Sequence, residues 1–195
     1  MKITTMKFYD GAKERICRLG LSELFLEVQQ VILETEVCVL EQSEANGAAV
    51  IRERLDATFK SQDEWVLSKS GDIDWTKRIR YNSSVLARLG VEIQVSSRSD
   101  QLTRDLVHLR NSLRAGKIDA GIVIVPSDRL QSFLTDRTPS LRDAVRIFED
   151  EFKEAQEYPI VVISIEHDGP GEALPKKKTN LGKGNTALSA RGRAV

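Results

Sequence analysis

At 195 residues, the chain is long enough for one domain with a substantial core and too short for two comfortable ones. A hydrophobic fraction of 41% and a charged fraction of 30% are typical of a globular protein, and no apolar run approaches the ~20 residues of a membrane helix. The N-terminus lacks the apolar core of a signal peptide, and Cys17 and Cys38 fit neither a disulfide framework nor a metal-ligand spacing. These features predict a cytoplasmic protein that does not enter a membrane.

The charges are unevenly distributed although the formal net charge is zero. Residues 174–195 contain no acidic residue and six basic ones, which are Lys176, Lys177, Lys178, Lys183, Arg191 and Arg193. The rest of the chain is therefore acidic overall. A basic tail on an acidic body suits a protein that binds a polyanion and keeps metal-binding carboxylates elsewhere, and it suits a solvated flexible terminus equally well.

The first half of the chain shows two helical patterns. Apolar residues at helical spacing predict a helix that begins near Ser22 and a second helix over residues 43–59. Trp65 and Trp75 are expected in the core, and residues 71–75 form a short extended segment. Residues 81–90 show no clear period.

The second half alternates between strand and helix patterns. Residues 90–96 alternate strictly between apolar and polar side chains, which predicts a strand with Glu92 and Gln94 on one face. Leucines at helical spacing follow, and Gly116 is a suitable residue to end that helix. The nearly continuous apolar runs 118–125 and 159–165 are typical of strands covered on both faces.

A further helix is expected between those two runs, over residues 139–153, with Pro139 at its first position. Strands that alternate with helices predict an α/β fold, with helices on both faces of one central sheet. Periodicity ends after Gly171. We therefore expect one domain over residues 1–171 and a basic C-terminal tail over residues 172–195 that is ordered by a partner.

One group of polar residues has the pattern of a metal site. Glu92 and Gln94 share a strand face, and Asp74 reaches the same face if its extended segment pairs with that strand. Two carboxylates at a strand edge suit Mg²⁺, and a metal held in this way promotes phosphodiester hydrolysis. An isolated Glu-x-Gln is more often the polar face of an amphipathic strand, so the spacing alone leaves both readings open.

Five segments together resemble the BamHI/BglII/BstYI group of type II restriction endonucleases, and the likeness spans about Asn46 to Ser189. These segments are Asn46-Gly47, Ile73-Asp74, Gly90-Val-Glu-Ile-Gln94, residues 109–119 from Leu-Arg-Asn to Lys-Ile-Asp, and Phe133-Leu-Thr-Asp-Arg137. The resemblance implies the PD-(D/E)xK restriction-endonuclease fold, with a central mixed sheet. It also implies a Mg²⁺-dependent enzyme that cuts double-stranded DNA as part of a restriction-modification system.

The resemblance assigns catalytic positions residue by residue. Asp74 and Glu92 match the metal-binding acidic pair, and Gln94 stands where the wider superfamily has lysine and BamHI has glutamate. Since glutamine cannot act as a general base, Gln94 is expected to orient a water that the metal activates. Ser68 falls where BamHI has an acid, and this departure leaves its role open.

The resemblance also assigns contacts to the DNA bases. Ser97, Ser99 and Arg104 match one base-contacting group, and Asp136 and Arg137 match another. Arginine pairs with guanine through two hydrogen bonds, and aspartate accepts from the cytosine amino group. The resemblance therefore implies a GATC-centred palindrome, with GGATCC as the full site and four-base 5′ overhangs as products.

A palindrome cut on both strands by one active site per chain implies a homodimer, with residues 98–115 and 139–153 at the dimer surface. Two alternatives remain open at this point. One is a nuclease of the same fold with a structure-specific repair role. The other is a sequence-specific DNA-binding protein that has lost catalysis, which the residues at positions 68 and 94 favour.

Overall fold

The computed structural model describes residues 1–68, 73–95, 99–135 and 138–176, and its centre is a six-stranded sheet. The strand order is β1-β7-β6-β5-β4-β3. The strands are β1 (Lys2–Phe8), β3 (Val66–Leu67), β4 (Trp75–Tyr81), β5 (Ser84–Ile93), β6 (Ala120–Pro126) and β7 (Ile160–Glu166). A separate parallel pair is formed by β2 (Cys38–Val39) and β8 (Gly169–Pro170).

The sheet is mixed. Strands β5, β6 and β7 run parallel, whereas β1 pairs antiparallel with β7, and β4 pairs antiparallel with both β5 and β3. Strands β4 and β5 form a hairpin that turns at Asn82, which has a positive φ of 53°. The carboxyl ends of the three parallel strands meet at one edge of the sheet, where ligand sites of α/β proteins commonly lie.

Helices cover both faces of the sheet. One face packs against α1 (Ala12–Arg18), α2 (Ser22–Glu34) and α3 (Ala48–Ser61), and the other packs against α4 (Ser99–Arg114) and α6 (Leu141–Arg146). A short helix, α5 (Asp128–Phe133), follows β6. Strand β6 is buried throughout because its side chains alternate between the two cores, with Ile122 and Ile124 in one and Val123 and Val125 in the other.

Most of the predicted elements are present, with shifted boundaries. The α/β class with one central sheet and helices on both faces is confirmed. Helix α2 begins at Ser22 as predicted, whereas α3 begins at Ala48 and not near residue 43. The segment before it is held in a loop because the Asn46 side chain bonds to backbone groups of distant residues.

The prediction for residues 139–153 was wrong in two respects. Ser140, not the residue before Pro139, caps the helix, since its hydroxyl accepts from the Asp143 N–H while the Asp143 carboxylate accepts from the Ser140 N–H. Helix α6 also ends at Arg146, and a π-helical turn (Ile147–Glu151) and a 3-10 turn (Lys153–Glu157) replace the expected regular helix. Within the described ranges, no helix has the length and apolar character that a membrane crossing requires.

Candidate active site at the hairpin end

Asp74 and Glu92 lie together at the open end of the β4–β5 hairpin, which is the end opposite the turn at Asn82. Trp75 pairs with Val91 in the antiparallel ladder, and this register places the preceding Asp74 beside Glu92. Two carboxylates from neighbouring strands thus converge at one point. The spacing of these residues in the sequence did not decide whether they would.

The Asp74 carboxylate is held in place by two elements, strand β5 and helix α3. Its Oδ2 accepts from the backbone N–H of Ile93 at 2.8 Å, and its Oδ1 lies 2.8 Å from Nη2 of Arg52 on α3. Arg52 also donates to the Ile93 carbonyl at 2.7 Å and to Asp56 at 2.8 Å. Arg52 therefore fixes the orientation of Asp74 and joins helix α3 to the end of β5.

Glu92 is in an unfavourable place for a negative charge. Only 4% of its surface is exposed. Burial, the charge of Asp74 and a hydrogen bond to that carboxylate together raise the pKa of Glu92 to about 10. Two carboxyl groups that share a site in this way hold one proton between them when no cation is bound.

Gln94 and Asp105 extend the polar cluster. The Gln94 backbone N–H donates to the Ile124 carbonyl at 2.8 Å, and its side-chain N–H₂ donates to Asp105 on α4. Burial raises the pKa of Asp105, against the lowering effects of Arg104 and of this hydrogen bond. The Gln94 Oε1 is buried and has no hydrogen-bond partner within the described part of the chain. This amide oxygen is therefore available to bind a water molecule or a cation beside the two acids.

The cluster has the donor chemistry of a Mg²⁺ site. It offers two carboxylates and one amide oxygen, which are the oxygen ligands that hard cations prefer. Among the described residues, no group of three or more His, Cys, Asp or Glu side chains has a metal-binding arrangement. A cation here would depend on the Asp74–Glu92 pair, with water or substrate oxygens completing its shell.

The expected base-contacting residues are described only in part. Helix α4 begins at Ser99, and the Arg104 side chain on it is 62% exposed. Ser97, Asp136 and Arg137 lie outside the described residues. Ser68 lies next to the acidic pair, since its backbone N–H donates to the Asp74 carbonyl at 2.9 Å.

Asn46 anchors the segment that leads to positions 136 and 137. Its Nδ2 donates to the carbonyls of Phe133 and Leu40 at 2.9 and 2.8 Å, and its Oδ1 accepts from the N–H groups of Leu40 and Leu174 at 3.0 and 3.1 Å. Its backbone carbonyl accepts from the Thr135 N–H at 2.7 Å. Asn46 thereby ties residues 133–135 to the segment around Leu174, which packs on the core although it lies beyond Gly171.

A second buried polar cluster lies at the end of β7. His167 is 1% exposed, with Nδ1 bonded to Glu166 and Nε2 at 2.9 Å from Glu41. Glu166 also accepts from Ser127 at 2.5 Å, and Glu41 accepts from Arg129 at 2.7 Å. Every carboxylate of this cluster therefore faces a donor.

Sequence reasoning missed Arg52 and Asp105. Arg52 lies on helix α3 before Asp74, and Asp105 lies on helix α4 after Glu92, and no local motif marks either residue. Helical spacing places both residues beside buried apolar neighbours, Ile51 and Leu106, so only the packing of each helix against the sheet brings them to the site.

Two carboxylates that converge at the open end of a hairpin in an α/β sheet offer the chemistry that metal-assisted phosphodiester hydrolysis requires. The restriction endonuclease BamHI family model matches residues 1–185, and the chain belongs to this family. It is therefore a type II restriction endonuclease with the restriction-endonuclease fold, a site-specific deoxyribonuclease whose substrate is DNA. A comparison with individual curated proteins finds no match.

Proposed function

We propose that the protein hydrolyses double-stranded DNA at GGATCC palindromes and leaves four-base 5′ overhangs. The observation that carries the catalytic part is the convergence of Asp74 with the buried Glu92 at the open end of the β4–β5 hairpin. The proposed sequence rests on the likeness of the Leu-Thr-Asp-Arg segment, residues 134–137, to the corresponding segment of BamHI.

Asp74 and Glu92 would hold Mg²⁺ in this reaction. When bound, the ion would supply the positive charge that polarises the scissile phosphate and makes a water more acidic. The raised pKa of Glu92 fits this role, because a cation between the two acids removes the repulsion that favours the protonated form.

The protein's own groups orient the reactants. Arg52 and the Ile93 N–H hold the Asp74 carboxylate from two directions, so its free lone pairs point to a fixed place. Gln94 cannot accept a proton, but its unpartnered Oε1 can accept a hydrogen bond from the attacking water. Its other side-chain bond, to Asp105, fixes the rotation of the amide.

Base recognition would come from Ser97, Ser99, Arg104, Asp136 and Arg137. Arg104, on the helix that follows the catalytic strand, has a 62% exposed side chain that lies 3.6 Å from Asp105, and it would exchange this contact for a base edge when DNA binds. Asp136 and Arg137 follow directly after Thr135, which Asn46 anchors. The proposed contacts thus come from segments that follow β5 and β6, beside the acidic pair.

Cutting both strands would require a homodimer, with α4 and the region of α6 at its surface. The domain would comprise residues 1–171 and the basic tail residues 172–195, of which the part that follows the core-packed Leu174 would bind phosphates and become ordered on DNA. A chain that ends at Lys176 tests the tail, because normal binding and cleavage by that truncated chain would contradict it.

Digestion of a bacteriophage DNA in Mg²⁺, followed by sequencing of the fragment ends, tests the proposed function. The wild type should give discrete fragments that begin with GATC overhangs and sit within GGATCC. Asp74→Ala should cut nothing, whereas Asp63→Ala, which removes an exposed acid, should cut like the wild type. A random smear, or intact DNA with the wild type, would refute the proposal.

A further inference from the structure

A basic groove runs along the β4–β5 hairpin, away from the acidic pair. It is an open cavity of about 660 Å³ that begins at Ser68 and Ile73, passes Thr76, and ends among Arg78, Arg88 and Lys117. Arg80, two residues further along β4, lines an adjoining cavity. The cationic side chains thus extend the groove well beyond the active site.

Two of these arginines face each other in the sheet. Arg78 and Arg88 are directly opposite in the β4–β5 ladder, and like charges at such positions are destabilising. The Arg88 guanidinium is fixed by a 3.1 Å bond to the Gly116 carbonyl. Within the described part of the chain, no hydrogen bond or ion pair involves the side chains of Arg78 and Arg80. The fold therefore keeps a repulsive pair that a bound anion would stabilise.

The nearby acids do not neutralise the groove. The Asp119 carboxylate accepts from the backbone N–H of Arg88 at 2.9 Å, and Glu64 lines only the adjoining cavity. The anion that fits such an elongated groove is a chain of phosphates, because separate cations along its length match repeated charges.

The position of the groove indicates which phosphates it would reach. Arg78 lies four residues along β4 from Asp74, which is about 13 Å at ~3.3 Å per residue. One DNA strand carries a phosphate about every 3.4 Å of helix axis, so this distance corresponds to about four nucleotides. The groove ends at the carboxyl terminus of α4, about 24 Å from the amino terminus of that helix at 1.5 Å per residue.

We propose that this groove binds the DNA backbone that flanks the recognition sequence. The proposal rests on the proposed function, since it takes the acidic pair as the place of the scissile phosphate. Because the groove leads away from the proposed base-contacting start of α4, Arg78, Arg80, Arg88 and Lys117 would contribute affinity without sequence preference.

Binding to duplexes with short and long flanks, in EDTA so that nothing is cut, tests this inference. We expect wild-type protein to bind a GGATCC duplex with 12 base pairs on each side at least tenfold more tightly than one with two. The R78A/R80A variant should lose most of that gain. Its salt dependence on the long duplex should fall by about 1.8 in the slope of log K against log salt, since each lost phosphate contact contributes about 0.9.

Three controls keep the result specific. Lys13→Ala/Arg18→Ala removes two exposed cations from α1, on another part of the surface, and should retain both the flank gain and the slope. Arg78→Lys/Arg80→Lys should also retain them, because the charge is kept. The melting temperature of free R78A/R80A should be unchanged or higher, since a repulsive pair is removed.

A wild-type flank gain and slope in R78A/R80A would overturn the inference, whatever the enzyme cuts. A duplex with a scrambled site separates this outcome from failure of the proposed function. If the wild type prefers no sequence but R78A/R80A still loses the flank gain, the site assignment fails while the groove still binds backbone.

Discussion

Two clusters of acids at the same edge of the sheet, each containing a buried glutamate, have opposite electrostatics. At the end of β7, Glu166 and Glu41 face the two ring nitrogens of His167, and they also accept hydrogen bonds from Ser127 and Arg129. At the end of β5, Glu92 faces another carboxylate, and its pKa is raised to about 10. One cluster completes its own charge pairing, and the other does not.

The difference separates a cluster that suits a structural role from one that suits the proposed catalytic role. The hydrogen bond from His167 lowers the pKa of Glu41, so the fold stabilises that negative charge. Burial and Asp74 disfavour the negative charge on Glu92, so the fold alone does not stabilise it. An unpaired buried acid costs stability, and the proposed cation would offset this cost.

Glu92→Gln should have the largest effect on activity. Loss of a proposed metal ligand should reduce cleavage at least about a thousandfold, since such a site supplies several kcal/mol of transition-state stabilisation and each 1.4 kcal/mol is tenfold. Plasmid cleavage in Mg²⁺ measures this effect. Cleavage within tenfold of the wild type would remove Glu92 from the active site.

The same variant should be more stable than the wild type without metal. Because the folded-state pKa of Glu92 is raised, its contribution to stability declines as pH rises from the usual glutamate range toward 10. Melting temperatures in EDTA should therefore favour Glu92→Gln, and by more at pH 8 than at pH 5. If Glu92→Gln melted at the same temperature as the wild type or lower at pH 8, the proposed difference between the two clusters would be contradicted.

His167→Ala should show the reverse pattern. It leaves the buried Glu166 without its imidazole partner, which should cost about 2–4 kcal/mol in the free energy of unfolding. Urea denaturation measures this cost. Well below the melting temperature, cleavage should stay within a few-fold of the wild type, and a folded but inactive variant would show that this cluster also takes part in the reaction.

Asn46→Ala should lower sequence discrimination through the anchored segment. Loss of its four side-chain hydrogen bonds should cost about 2–3 kcal/mol of stability and loosen residues 133–135. The ratio of kcat/KM on GGATCC to that on sites with one altered base should fall. Gln30→Ala, which removes an exposed side-chain amide on α2, is the matched control and should leave this ratio unchanged.

Gln94→Glu should have the smallest effect and sharpen the electrostatic contrast. The change replaces the hydrogen bond to Asp105 with a repulsion and adds a third acid beside Asp74 and Glu92. We expect a loss of about 1 kcal/mol of stability in EDTA and a larger rise in melting temperature on adding Mg²⁺. If Mg²⁺ shifts the variant no more than the wild type, position 94 does not face the cation.

The sequence predicted the parallel core of the sheet well and the hairpin poorly. Strands β6 and β7 are continuous apolar runs because both of their faces are buried. Strand β4 was missed beyond Trp75 because Lys77 occupies an inward position, where Glu27 pairs with it at 2.7 Å. That compensating charge lies 50 residues away, so no local pattern could reveal it.

In the candidate site too, the residues marked by a local pattern were predicted, and those brought in by helix packing were missed. Glu92 and Gln94 were singled out because they share one face of a strand, and Asp74 because its extended segment could pair with that strand; the family resemblance then matched Asp74 and Glu92 to the acidic pair. Arg52 lies on α3 and Asp105 on α4, and their contacts with the site depend on how both helices pack. Positions 97, 136 and 137 remain predictions from the resemblance.

The outer edges of the sheet restrict how two copies of the protein can meet. Strand β3 is only two residues long, and β1 carries Lys2 and Lys7 together with a register shift between Ile3 and Thr5. Short, charged or irregular edge strands are poor templates for strand addition. Neither edge therefore favours pairing with a strand of a second copy or growth into aggregates. Pairing of edge strands would thus compete little with self-association through helical surfaces.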